Sequence, residues 1–265
     1  MLVRARCFAV LALSCLVMSL AHAQEAADTE ERNSGPRNLV ITYRCAPPKR
    51  PLLRSYMLKQ GVQRFEKWKQ DGVLADYRIL FNRYNDAETY DMMAILNFGK
   101  YSDVEKWAAI ETESPGGLTE DALAFVTPLN TYSMDVIWHG SAPSVPPRGH
   151  TVFFLIPYDY YPHTIEEYIK YANGYVIPQI KGWVSEGIIA NYGIYVSRYP
   201  TSRPWKVLFV LEYKDAESFG ARERTMAKVR AGLKSNPDWK ALSDSKLNMR
   251  VEKETVVADE LLPSK

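Results

Sequence analysis

The chain is 265 residues long, 46% hydrophobic and 24% charged, with 33 basic against 31 acidic side chains. That near-balance leaves no basic excess to grip a phosphate backbone, which excludes nucleic acid as a partner. Its three cysteines are Cys7, Cys15 and Cys45, too few in the body of the chain for a disulfide framework or a cysteine metal cluster.

The first segment is positive at Arg4 and Arg6, apolar from Phe8 to Leu20, and ends in Ala21-His22-Ala23 before Gln24. That order predicts a secretory signal peptide over residues 1–23, cleaved near Ala23, and therefore an exported protein, periplasmic or secreted. Cys15 lies inside the apolar run behind Ala12-Leu13-Ser14, a poor match to a lipid-attachment motif. Removing the signal leaves 31 basic and 31 acidic residues, with Cys45 as the one remaining thiol. No later stretch holds the ~18 uninterrupted apolar residues of a membrane span. Residues 24–37 read as a linker.

Leu39 to Cys45 is the first predicted strand. Leu58, Val62 and Phe65 then recur at helical spacing, and Gly72 is placed to end that helix. Val73 to Tyr84 alternates as a strand: Val73, Ala75, Tyr77, Ile79 and Phe81 share one face, and Leu74, Asp76, Arg78, Leu80 and Asn82 the other. Asn85-Asp86 turns the chain into a strand from Thr89 to Phe98. Ser102 with Glu105 has the spacing of a capping box opening a second helix, and Leu129 to Trp138 closes the unit. Ser141 to Gly149, SAPSVPPRG, is a Pro-rich connector.

The same order then returns. WVSEGIIANYGIYVSRY, from Trp183 to Tyr199, matches WKQDGVLADYRILFNRY, from Trp68 to Tyr84, at Trp, Gly, Ala, Tyr, Ile, Arg and Tyr without a gap. At the same offset Tyr43 falls on Tyr158 and Phe98 on Tyr213. Thr164 with Glu167 and later Asp215 are predicted helix caps, Pro178 should interrupt a helix, and Leu247 to Val257 is the last predicted strand. The organisation expected is a first unit at 38–140, a linker at 141–150, a second unit at 151–259 and a tail at 260–265. Each unit reads strand, helix, strand, strand, helix, strand. The fold class expected is α+β: two tandem ferredoxin-like units whose antiparallel sheets cover one another's open faces.

A βαββαβ unit with Trp-x-x-x-Gly between first helix and second strand, repeated in tandem, resembles the dimeric α/β-barrel superfamily. That group includes antibiotic-biosynthesis monooxygenase-like, EthD-like, NIPSNAP-like and chlorite dismutase-like proteins. The resemblance implies two sheets closing into a barrel, helices outside, and a pocket within each half. EthD-like relatives often carry His-x-Pro in the first helix; here Val176-Ile177-Pro178 keeps the Pro without the His, and Gly61-Val62-Gln63 has neither. Haem-binding relatives use a proximal His that no position here matches.

Beyond the signal segment the histidines are His139, His150 and His163, scattered and not at metal-ligand spacing. Neither a nucleophile elbow nor a phosphate-binding glycine loop is present. No cofactor is therefore expected, and Cys45 reads as a packed thiol. Tyrosines cluster at Tyr158, Tyr160 and Tyr161. The duplicated line Tyr77, Ile79, Arg83 and its copy Tyr192, Ile194, Arg198 suggests ligand contacts from Tyr77, Arg83, Tyr192 and Arg198. A guanidinium there would take the acid of a small apolar or aromatic molecule. The function expected is an exported small-molecule-binding protein with an aromatic and aliphatic pocket. A cofactor-independent monooxygenase- or isomerase-like enzyme and a module with no pocket stand as alternatives.

Overall fold

A computed structural model describes residues 37–161 and 164–263. The segment expected to be a signal peptide, nearly all of the expected 24–37 linker, His163 and the last two residues lie outside them. Strand β1 (Asn38–Cys45) leads into helix α1 (Arg50–Tyr56), a π turn (Met57–Gly61) and α2 (Val62–Gln70). Strands β2 (Asp76–Asn82) and β3 (Met92–Asn97) follow, then α3 (Tyr101–Glu113), α4 (Glu120–Leu123) and the long β4 (Val126–Ser141). The second pass is β5 (Val152–Tyr160), α5 (Ile165–Tyr171), a π turn (Ala172–Val176) and α6 (Ile177–Ser185). It continues with β6 (Ile189–Ser197), β7 (Val207–Tyr213), α7 (Ala216–Gly220), α8 (Arg222–Leu233) and α9 (Pro237–Asp244). A 3-10 turn (Lys246–Asn248), β8 (Arg250–Glu252) and β9 (Val256–Glu260) end it.

The strands pair antiparallel in the order β7-β6-β4-β1-β3-β2-β9-β5, and β5 pairs back onto β7, so eight strands close a barrel. Closure removes the exposed edges that an open sheet would present. Strands of the first pass meet strands of the second at two seams, β4 on β6 and β2 on β9.

Alternation sorts the side chains into three cores. The barrel interior takes Val40, Leu80, Met93 and Ile95 from the first pass and Phe153, Leu155, Leu208 and Val210 from the second. Each set covers apolar surface that its own helices do not reach. Tyr77, Ile79 and Phe81 point outward, against the helix layer of Leu53, Phe65 and Trp107. Ile194 and Val196 do the same in the other half, with Tyr175, Ile180 and Trp183.

Local expectations fare unevenly. Thr164 and Asp215 accept the backbone N–H groups of Glu167 and Ser218, as helix caps do. Gly72, at φ +69°, turns the end of α2. The N–H groups of Val73 and Leu74 then donate to the Trp68 carbonyl, which delays the strand to Asp76. The capping box at Ser102 does not form: α3 already begins at Tyr101, behind Lys100, without a side-chain cap. The expected strand from Leu247 to Val257 is broken into β8 and β9. Pro157 on β5 has no N–H to offer the ladder, and the register slips by one residue between Tyr158↔Glu252 and Leu155↔Val256. Pro178 falls in the first turn of α6, just after a π turn. The first half carries a π turn at the matching place with no proline, so Pro178 is not its sole cause.

Candidate functional site

Between the second half's strands and its helices lies a cavity of about 180 Å³. Tyr158 comes from β5, Phe209 and Leu211 from β7, and Tyr175 and Val176 from the π turn. Gln179 and Trp183 project from α6, while Arg222, Met226 and Arg230 stand at i, i+4 and i+8 along one face of α8. Lys246, Leu247, Arg250 and Glu252 close the remaining side.

Cations dominate this lining. Arg222, Arg230, Lys246 and Arg250 share it with a single lining carboxylate, Glu252, and Arg222 also pairs with Glu223 beside it on α8. Arg230 Nε donates to Gln179 Oε1 at 2.7 Å, and Gln179 Nε2 donates to the Tyr175 carbonyl at 2.9 Å, which fixes the buried amide. The Arg250 guanidinium lies 4.0 Å over the Tyr158 ring, 5.3 Å from Phe209 and 5.8 Å from Tyr171. Rings of this kind favour a cation on their faces. Burial alone would pull the Arg250 pKa down; the phenols of Tyr158, Tyr168 and Tyr171 outweigh it, and the net shift is upward. The Tyr158 hydroxyl donates to Glu252 Oε2 at 3.0 Å, and burial, opposed by Arg250, leaves its pKa above the ordinary phenol value. Tyr158 is therefore a neutral phenol at physiological pH.

Three buried donors on this lining meet no acceptor in good geometry: Arg250 Nη1, Arg222 Nε and Trp183 Nε1, with the Tyr168 and Tyr213 hydroxyls beside the first two. A buried donor left unmatched costs about 1–3 kcal/mol. Three around one space call for an acceptor, and the surrounding charge favours an anionic one. Cavities of about 150 Å³ hold one benzene ring, so the space matches a single-ring molecule.

The first half is built differently at the equivalent place. Tyr43, which aligns with Tyr158, donates its hydroxyl to the Gly116 carbonyl at 2.7 Å. Trp68, which aligns with Trp183, packs with Phe65 and Trp107 at ring separations of 5.1, 5.2 and 6.1 Å. Gly117 closes that trio: a Cβ there would stand 3.0 Å from all three rings.

A second cavity, of about 130 Å³, lies within the barrel, between Arg78, His139, Tyr192, Tyr195 and Glu212. Its charges are already matched. Glu212 accepts from Thr151 Oγ1 at 2.8 Å and Asn191 Nδ2 at 2.6 Å, and Arg78 pairs with Glu260 at 2.9 Å.

The four side chains singled out from the sequence do not converge on one space. Tyr77 faces the helices and donates to Glu66 Oε2 at 2.9 Å, while Tyr192 borders the 130 Å³ cavity. Arg83 pairs with Asp259 at 2.7 Å and Arg198 with Asp135 at 2.9 Å, and neither lines either of these two cavities. Asp259 is on β9 and Asp135 on β4, so the duplicated arginines staple the two seams of the barrel. The residues that sequence reasoning missed are Arg222, Arg230 and Arg250. The signal for two of them was present: an Arg-Met-Arg face on α8 with the methionine buried.

Among the described residues no group of three or more His, Cys, Asp and Glu could hold a metal ion. The 180 Å³ lining offers neither imidazole nor thiolate to an iron, so it does not fit the proximal-His haem of the resembling superfamily. Cys45 is a buried free thiol in the other half.

No protein-family model matches this sequence, and no curated protein matches it. Solved structures of the same architecture do. A "putative monooxygenase" from Lactobacillus acidophilus is 13% identical, with a TM-score of 0.51, over 85% of this chain and 93% of its own. An anthrone oxidase-like protein is 10% identical, with a TM-score of 0.53, over 87% of this chain and 92% of its own. Both are dimeric α+β barrel proteins, and the likeness at this identity is one of fold.

Proposed function

We propose that this is an exported small-molecule-binding protein holding one single-ring organic anion between its second sheet and the covering helices. The observation that carries the reading is the set of three buried donors without an acceptor in good geometry, on a cavity whose cations exceed its carboxylates even with Arg222 paired to Glu223. The size of the cavity sets the one-ring limit, and the rings of Tyr158, Tyr175, Trp183 and Phe209 supply the apolar walls. The oxygenase and oxidase descriptions of the two similar structures suggest catalysis instead. Binding is the reading we favour here, because Tyr158 stays protonated and the lining holds neither a histidine nor a cysteine to act on a bound molecule.

We read the body as two tandem ferredoxin-like units, 38–140 and 151–259, joined by the linker at 141–150. The strand orders β4-β1-β3-β2 and β6-β7-β5-β9 and the matched π turns support this. The N-terminal sequence supports export. A thermal-shift comparison tests the binding reading. Benzoate should raise the melting temperature, whereas benzamide, of the same shape without the charge, and 2-naphthoate, with a second ring, should not. Equal shifts from benzoate and benzamide would sink the anion reading.

A further inference from the structure

Glu252 is the one carboxylate on the lining. Its Oε2 accepts the Tyr158 hydroxyl, and among the described residues it meets no other donor. A carboxylate can accept roughly four hydrogen bonds; Glu252 is exposed at the cavity's rim, so the rest of that capacity faces solvent and is open to a ligand donor. Arg250 and Glu252 are two apart on β8. They share a face about 6.6 Å apart along the strand. Both address the same tyrosine: the guanidinium covers the Tyr158 ring, and the carboxylate holds its hydroxyl. A ring lying along Tyr158 therefore has a cation near one end and an open acceptor near the other.

Resting on the anion reading above, we propose that the ligand is a single-ring carboxylic acid that also bears a hydroxyl group. Its carboxylate pairs with Arg250 and the other two buried donors, and its hydroxyl donates to Glu252. A hydroxyl fits better than an ammonium group. Arg222 is already paired with Glu223, but Arg230, Lys246 and Arg250 would repel a second positive charge, and Glu252 alone does not offset three cations. A ligand hydroxyl would take the place of solvent at Glu252, whereas a ligand lacking a donor would gain nothing there.

Isothermal titration of the protein with benzoate, 3- and 4-hydroxybenzoate and their methoxy counterparts separates the possibilities. The methoxy acids keep the oxygen and lose the donor. One hydroxybenzoate should bind about tenfold tighter than benzoate and than its own methoxy ether, as a hydrogen bond to a charged acceptor allows. In Glu252→Ala that ratio should fall to near one. Hydroxybenzoates binding no tighter than benzoate would overturn the proposal while leaving the anion site standing. If Glu252→Ala does not fold, the hydroxy-to-methoxy ratio in the unaltered protein decides alone. If none of these acids binds, the anion reading falls and this inference falls with it.

Discussion

Replacing Arg250 by methionine separates a ligand-binding arginine from a structural one. An arginine whose main role is to hold the fold would have its guanidinium satisfied by acceptors. Removing one partner of such a buried pair costs about 3–5 kcal/mol. Arg250 instead meets no carboxylate: Nη1 is buried outside good hydrogen-bond geometry, and its neighbours are ring faces, the nearest at 4.0 Å, and the phenol hydroxyls of Tyr168 and Tyr171. Deleting it relieves about 1–3 kcal/mol of unmatched burial. It forfeits a cation–ring attraction of up to about 2 kcal/mol. Methionine regains about 0.3–1.5 kcal/mol through sulfur–ring contact. The terms nearly cancel, so Arg250→Met should unfold in urea within about 1 kcal/mol of the unaltered protein. Benzoate affinity should fall by about 1.5–3 kcal/mol, roughly tenfold to 150-fold. Loss of more than about 3 kcal/mol of stability with unchanged affinity would refute the reasoning and make Arg250 a structural element.

The seam staples should differ in strength. Arg198 and Asp135 are each 19% exposed, against 29% and 48% for Arg83 and Asp259. Double-mutant cycles followed by urea unfolding should give about 1–1.5 kcal/mol of coupling for the first pair and below about 1 for the second; the reverse order would contradict the seam account. A Cβ at Gly182 on α6 would collide with Val229 on α8. Gly182→Ala should therefore lower stability by about 1–3 kcal/mol, and a stabilised variant would show that the helices yield. Burial, with Asp91 adding to it, pushes the Cys45 thiol up to about 11. At pH 8 the native protein should resist a disulfide reagent that labels the urea-unfolded chain at once. Rapid native labelling would show that the thiol opens to solvent.

Much of the barrel was legible because period-two alternation and the duplicated Trp-x-x-x-Gly are local signals. The strand from Val73 onward was placed to within a few residues, and its two faces divided correctly from Asp76 on, whereas Leu74, ahead of the strand, packs with Tyr77 and Ile79. Which face met the helices was not legible, because Tyr77, Ile79 and Phe81 on one side and Leu80 on the other are all apolar enough for a core. That ambiguity led to the site at Tyr77, Arg83, Tyr192 and Arg198. Repetition drew attention to the arginines, but what repeats in this molecule is the seam. The cavity arises where the halves differ. Tyr158 and Trp183 have counterparts in Tyr43 and Trp68, yet Phe65, Trp107 and Gly117 pack tightly only in the first half. Arg250 was hidden for another reason: the register slip opposite Pro157, which sets β8 beside Tyr158, depends on a pairing distant in sequence.

A crystal structure of the protein with benzoate tests the central claim most directly. The account predicts one benzoate per chain in the second half, its ring between Tyr158 and Trp183 and its carboxylate on Arg250, with none beside Phe65, Trp68 and Trp107. Benzoate bound at the Arg83 or Arg198 seams, within the barrel, or nowhere in the 180 Å³ cavity would contradict it.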